Sequence, residues 1–528
     1  MRYDPWTIPD GAYSSSETDA AGDGDADEIA QLLAMAGGAD DTASGPGGGA
    51  LADALVRTGP VDDAATVPAG EPDDASALAD LAAVELELDR RWPETRIAPS
   101  LDRIRALTEI LGDPQRSYPV IGVAGTNGKS SVTRLIDALL TRIGLRTGRY
   151  TSPHLQRVTE RIALDGAPLP ARRYVDTWHE IAPYVGVVDR AQEHRGGPSC
   201  SKFEVLTAMA FAAFADAPVD VAVLETGLGG SWDATNVADA AVAAITPIGV
   251  DHVAYLGSDL AGIAREKAGI IKPGSVALLA QQTPEVAQVL LERTVEVGAE
   301  VARAGIEFGV LERSVAVGGQ QLTLRGLGGE YDDIYLPLFG EHQAGNAALA
   351  LATVEAFFGA GSERRLDLEA VQDAFAALRI PGRLERLRTA PTVVVDAAHN
   401  PHGATAAASA VREEFSFRRL VGVVAIMGDK DADGILAALE PILDEVVVTA
   451  VTSDRAMDAD ELGGLAVGRF GASRVVVEPR MDAALETAIG LAEEVSEPDE
   501  PVSGGGVLVI GSVVAAGEAR TLLGRGPR

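Results

Sequence analysis

The chain has 528 residues, 46% of them hydrophobic, so it is long enough for two or three domains and apolar enough to build real cores. Its net charge of −34, from 78 acidic and 44 basic residues, disfavours nucleic acid and anionic lipid as partners, though a local basic patch can still hold a phosphate. No apolar run reaches the roughly 18 residues that span a bilayer, the N-terminus lacks the pattern of a secretory signal, and the lone Cys200 excludes an internal disulfide and a Cys-rich metal site, which fits a reducing cytoplasm.

Residues 1–78 are rich in Asp, Gly, Ala and Ser, with sixteen acids against two arginines. Low hydrophobicity with high charge predicts a disordered acidic tail, with a short helix over 28–35. It reads either as an interaction tail or as a dispensable leader. Helical apolar spacing begins at Leu81 and returns over 101–111.

A βα alternation follows. Residues 120–124 form an apolar strand, then comes a Gly-rich loop, then a helix over 131–143. Further apolar strands are expected near Arg149 and over 219–224, 241–245 and 276–280. Apolar strands alternating with helices predict a parallel sheet covered on both faces. A helix is expected over 347–358. A second βα series follows Pro381-Gly382, with strands at 393–395, 420–426, 445–450, 474–477 and 507–510. The expected α/β organisation is a tail over 1–78, a P-loop central domain over 79–380, and a smaller Rossmann-like domain over 381–528.

Gly125-Thr126-Asn127-Gly128-Lys129-Ser130-Ser131 joins a strand to a helix. Its glycines let backbone N–H groups face a phosphate, Lys129 would hold the β- and γ-phosphates, and a following hydroxyl would hold Mg²⁺. The spacing is the short form, without the usual earlier glycine. Only five residues are lysines, Lys129, Lys202, Lys267, Lys272 and Lys430. A chain that otherwise writes Arg keeps Lys where a titratable amine matters.

Glu225 ends an apolar strand, where ligands bind in open α/β sheets, and is a candidate Mg²⁺ ligand. His252, after Asp251, reads as a ligand or as a core or capping histidine, since Mg²⁺ prefers oxygen. Lys267 sits in an apolar stretch, either in a structural ion pair or as an amine that adds carbon dioxide to become a carbamate. Asn346 either reads a base edge or caps a turn. Arg383, at the domain junction, reaches a phosphate or pairs with Glu385. Asp396 and His399 follow a strand directly, placed for ribose hydroxyls and phosphate.

Together these motifs resemble the folylpolyglutamate synthase/dihydrofolate synthase family, the folate branch of the Mur ligases. Thr151-Ser152-Pro153-His154-Leu155, Phe203-Glu204-Val205-Leu206-Thr207, Leu228-Gly229-Gly230 through Asn236, Glu266-Lys267-Ala268-Gly269-Ile270, Pro381-Gly382-Arg383 and Asp396-Ala397-Ala398-His399-Asn400-Pro401 carry the resemblance, in the expected order. It covers about residues 79–523. It implies a monomeric, ATP- and Mg²⁺-dependent ligase that joins L-glutamate to dihydropteroate or a folate through an acyl phosphate. Lys129, Glu225, His252 and Lys267 would be catalytic. The loop 125–131 with Asn346, Arg383, Asp396 and His399 would bind ATP. Ser130 or Ser131, Ser152, Glu225, His252 and a carbamylated Lys267 would bind metal. Ser201, Lys202, Phe203, Glu204, Trp232, Asp233 and Ala234 would line the pterin side. Three positions depart from the family pattern: Ser130 replaces a glycine after the lysine, Ser231 replaces an arginine after the glycine pair, and Thr226 replaces a usual aliphatic residue. A Mur-type ligase for a cell-wall nucleotide precursor and a silent ATP-binding scaffold are the alternatives.

Overall fold

The computed structural model describes residues 73–93, 98–251, 253–359, 361, 365–494 and 504–527. The tail expected over 1–78, with its short helix, lies largely outside them. Order begins before Leu81. A helix runs over Ala75–Asp89, capped by Asp74, whose side chain accepts from Ala77 N.

The central sheet has eight strands: β1 Val120–Ala124, β2 Thr147–Tyr150, β3 Ile162–Leu164, β4 Ala167–Pro168, β5 Val221–Glu225, β6 Val242–Ile245, β7 Val276–Leu279 and β8 Glu300–Arg303. Their spatial order is β4-β3-β2-β5-β1-β6-β7-β8. The six strands from β2 to β8 in that order run parallel, and β3 and β4 add an antiparallel edge. Side chains alternate across the pleat, and both faces are covered. Val120 and Leu224 join a core built with helices Ala75–Asp89, Ala171–His194 and Lys202–Asp216. Ile121, Val123, Val221 and Val223 join the opposite core, under helices Lys129–Arg142, Glu341–Phe357 and Leu368–Ala377. Burial on both sides is why these strands read as unbroken apolar runs.

Three strands, β9 Gly309–Ala316, β10 Gly319–Arg325 and β11 Glu330–Leu336, form an antiparallel sheet that the apolar-run reading passed over. Only one of its faces is buried, at Leu322, Leu324, Tyr331 and Ile334, so charged residues interrupt its apolar ones. The helix expected over 347–358 begins earlier, at Glu341, with Gly340 at its N-cap. Asn346 therefore lies inside the helix, and its reading as a turn cap is overturned.

The C-terminal sheet comprises β12 Glu385–Thr389, β13 Thr392–Val395, β14 Arg419–Val424, β15 Glu445–Val448, β16 Val475–Val477 and β17 Gly505–Ile510. Its order is β12-β13-β17-β14-β15-β16, parallel except for β12. Val394, Val424 and Val446 face one core, and Val395, Val423 and Val447 face the other.

Candidate active site

The site starts from strand order. β1 lies between β5 and β6, with Val123 opposite Glu225 and Ala124 opposite Ile245. The loop after β1, the carboxylate ending β5 and Thr246 after β6 therefore share one sheet edge, where ligands of such sheets bind. Gly125 has φ +145° and a Cβ there would lie 1.9 Å from Thr246 Oγ1. Gly128 has φ +88° and a Cβ there would lie 2.8 Å from Asn346 Oδ1. Both positions need glycine, and the second sets Asn346 against the loop.

Thr126 N and Asn127 N donate to Pro247 O, and the Thr126 hydroxyl bonds Gly249 through both its carbonyl and its N–H. The donors left to face an anion are those of the first turn of helix Lys129–Arg142, which have no partners within the helix. Lys129 Nζ makes a long 3.3 Å bond to Thr126 O. The loop fits the phosphates of a nucleotide.

Glu225 is 1% exposed and accepts from Ser130 Oγ at 2.8 Å and Ser152 N at 3.3 Å. Burial pushes its carboxyl up, opposed by the Lys129 ammonium and these hydrogen bonds. Ser131 Oγ is buried with no partner among the described residues. Also among the described residues, no three His, Cys, Asp or Glu side chains cluster as a metal cage. One carboxylate with serine hydroxyls, completed by phosphate oxygens, is the donor set that Mg²⁺ favours, so these residues fit that ion. His252 lies outside the described residues.

The turn after β5 brings in Lys267. A Cβ on Gly230 would lie 2.4 Å from Glu266 O and 2.8 Å from Lys267 Cα, so this glycine allows the turn to press on the helix Leu260–Ala268. Lys267 is 3% exposed. Burial, helped by the nearby Lys129 charge and opposed by Asp233 and Asp251, lowers its amine to about 7. Near neutrality much of it is unprotonated.

From the C-terminal half, Asp396 accepts from Leu384 N at 2.9 Å and Ala398 N at 2.8 Å. Burial pushes its carboxyl up, while the Arg383 guanidinium pulls the other way. Arg383 acts on Glu225 in the same sense, so it stands between the two halves. It makes no ion pair with Glu385, which instead pairs with Arg520. His399 Nδ1 lies 3.0 Å from Ala397 O, and its Nε2 3.6 Å from Asp251 Oδ2.

The residues expected on the pterin side gather near the end of β5, yet several polar atoms among them are already engaged. Ser201 and Glu204 close a capping box on the helix Lys202–Asp216, and Glu204 also accepts from Arg103 Nε at 3.0 Å. Lys202 pairs with Asp89. Asp233 accepts from Leu228 N at 3.0 Å and caps the short turn Ala234–Val237. Phe203 packs beneath Gly227 and beside Tyr150, and Trp232 lies against Gly229.

Sequence reasoning missed the bridge between the halves. Asn400 Nδ2 donates to Asp251 Oδ2 and to Asn127 Oδ1, each at 3.0 Å. Asn127 Nδ2 lies 2.8 Å from His402 Nδ1. Lys430 Nζ lies 2.7 Å from Asp251 Oδ1, both side chains being buried. Lysine scarcity was the available signal for Lys430.

Two family models match the chain: "Mur ligase middle domain" over residues 198–354 and "Mur ligase, glutamate ligase domain" over 382–512. The chain is 57% identical over 481 residues to a Mycobacterium tuberculosis dihydrofolate synthase/folylpolyglutamate synthase, covering 87% of this chain and 99% of that one. It is 33% identical over 362 residues to the Escherichia coli enzyme of the same description, covering 69% and 80%. Among solved structures, M. tuberculosis folylpolyglutamate synthase complexed with ADP matches with a TM-score of 0.82 at 56% identity, over 86% of this chain and 100% of that one. E. coli FolC in complex with DHPP and ADP matches with a TM-score of 0.71 at 30% identity, over 85% and 98%. The chain belongs to the dihydrofolate synthase/folylpolyglutamate synthase family of Mur ligases.

Proposed function

We infer that the protein is an ATP-dependent ligase that adds L-glutamate to dihydropteroate, to a reduced folate, or to both, through an acyl phosphate. The observation that carries this is the convergence of the phosphate loop, Glu225 and buried Lys267 on one sheet edge, with Arg383, Asp396 and His399 facing them.

Lys129 and the free N–H groups where the loop 125–131 enters the helix hold the ATP phosphates. Asn346, Asp396, Arg383 and His399 hold the nucleotide. Ser130, Ser152, Glu225, His252 and Lys267 would hold Mg²⁺, which would supply the charge that lets one anion approach another. The hydrogen bond from Ser130 to Glu225 favours Ser130 over Ser131 for that role. Lys267 takes up carbon dioxide: its neutral amine forms an N–C bond and releases a proton, giving a carbamate. Phe203, Trp232 and Ala234 line the pterin side, shaped by Ser201, Lys202, Glu204 and Asp233.

The division near residues 379–383 into a central domain over 79–380 and a C-terminal domain over 381–528 belongs to the same proposal. Two separate sheets support it. Closure of the second domain would shield the acyl phosphate from water. A cytoplasmic location is supported by the free, buried Cys200, and a monomeric state by the family resemblance. Among the described residues no helix is long and apolar enough to cross a membrane. The folate names of the relatives weigh against a cell-wall substrate, and the intact loop against a silent scaffold. Glutamate-dependent ADP formation with dihydropteroate or tetrahydrofolate tests the reading, and its absence with both substrates refutes it.

A further inference from the structure

A cleft between the two halves is lined by Ser130, Thr151, His154, Glu160, Arg383 and Arg134. Arg134 makes no hydrogen bond or ion pair among the described residues, although it is sunk into this cleft. Asp137 and Glu160 lie near enough to favour its charge, but neither bonds it. Asp137 is bound to Arg149 and to the Thr147 hydroxyl. Glu160 accepts from the backbone N–H groups of Leu155, Gln156 and Arg157. Arg383, the other guanidinium of the cleft, bonds among the described residues only the carbonyl of its neighbour Gly382. The buried Nε and Nη2 of nearby Arg149 lack acceptors among the described residues.

Several guanidinium groups with their acids occupied make a cleft that favours an anion. Burial and the neighbouring Arg149 charge already depress Arg134, to about 9. A half-buried cation with no acid bonded to it is poised for an anionic ligand. His154 adds no positive charge. Burial and Arg161 hold its imidazole down to about 3, and Arg161 Nε donates to its Nδ1 at 3.0 Å.

The helix says which anion. Arg134 lies four residues after Ser130, so the two side chains share a face of the helix. Ser130 bonds Glu225, the carboxylate that ends β5. Lys129, which faces the phosphate loop, lies on a different face. Under the ligase reading Lys129 and the phosphate loop take the ATP phosphates, which leaves a substrate carboxylate as the anion for Arg134.

Resting on the ligase reading, we propose that Arg134 anchors a carboxylate of the incoming L-glutamate and so positions its amine. Planar guanidinium forks suit carboxylates.

The test is steady-state kinetics of Arg134→Met and Arg134→Lys in the full chain, varying L-glutamate, ATP and dihydropteroate in turn. Loss of a charged hydrogen bond predicts a rise of about ten- to hundredfold in KM for glutamate in Arg134→Met. KM for ATP and for dihydropteroate should stay within about twofold of wild type on the same argument, with partial recovery in Arg134→Lys. Unchanged KM for glutamate overturns the proposal, as does a shift carried by ATP or dihydropteroate. Circular dichroism of each variant separates these results from misfolding. A variant that misfolds is replaced by Arg134→Gln, read by the same criteria. Wild-type enzyme without glutamate-dependent turnover would instead overturn the ligase reading beneath it.

Discussion

Asp251 and Lys430, 179 residues apart in sequence, form a buried ion pair at 2.7 Å that ties the central half to the C-terminal half. Asp251 also receives Asn400, and Asn400 reaches Asn127 in the phosphate loop. The two halves are thus joined by groups that flank the phosphate loop.

Breaking that pair should weaken closure. Lys430→Met leaves Asp251 buried with only part of its compensation, at a cost of about 3–5 kcal/mol to the closed form. We expect kcat to fall by at least about tenfold. The double variant Asp251→Asn/Lys430→Met should lose less than the two single losses combined, because the second change removes the stranded charge. Additive losses would show that the pair does not act as a unit.

The phosphate loop makes a sharper prediction. Lys129→Ala should abolish turnover while leaving the melting temperature close to wild type, since Lys129 Nζ makes one long bond within the protein. Gly125→Ala should damage both binding and folding, because its Cβ would collide with Thr246. Calorimetric titration with ADP checks both. Turnover at the wild-type rate in Lys129→Ala would remove Lys129 from its assigned role.

Lys267 should carry a carbamate. Its amine, lowered by burial to about 7, gains nucleophilic fraction as pH rises through that value. In ¹³C-bicarbonate the folded enzyme should show a carbamate carbonyl resonance that strengthens from pH 6 to 8 and disappears in Lys267→Arg. Active enzyme with an unmodified amine would contradict this.

A stability prediction lies away from the site. Glu355 is buried and accepts from Tyr331 Oη and from the backbone N–H groups of Leu327 and Gly328. Desolvation outweighs these bonds and holds its carboxyl above its ordinary value of 4.5. The folded state therefore keeps this proton to higher pH than the unfolded state. Its contribution is intact below that ordinary value and is lost as pH rises through the folded value. Glu355→Gln removes the titration. The melting temperature of the variant minus that of wild type should increase as pH rises from 4.5 to 7, and a constant difference would contradict the assignment.

Much of the fold was legible because its strands are buried on both faces. Residues 120–124 and 507–510 read as strands from their apolar runs alone. The sheet β9–β11 was not, because its single buried face interleaves Leu322 and Leu324 with polar residues. The start of the helix Glu341–Phe357 was misplaced because Gly340 and Gly345 look like turn punctuation. A Cβ at Gly345 would meet nothing within 4 Å, so that glycine is no sign of a turn. In the site, the loop 125–131 and Glu225 were legible because a strand end fixes them locally. The partnership of Asp251 with Lys430, and the lack of a bonded acid at Arg134, depend on which groups the fold has already brought to each acid. Only the folded arrangement determines that.

The most direct test of the account follows an oxygen atom. If a substrate carboxylate attacks ATP and the amine of glutamate then displaces phosphate, one carboxyl oxygen leaves with that phosphate. Dihydropteroate labelled with ¹⁸O in its carboxyl group, incubated with enzyme, ATP, Mg²⁺ and L-glutamate, should yield inorganic phosphate carrying one ¹⁸O per glutamate added. Glutamate addition with unlabelled phosphate would contradict the acyl-phosphate ligase.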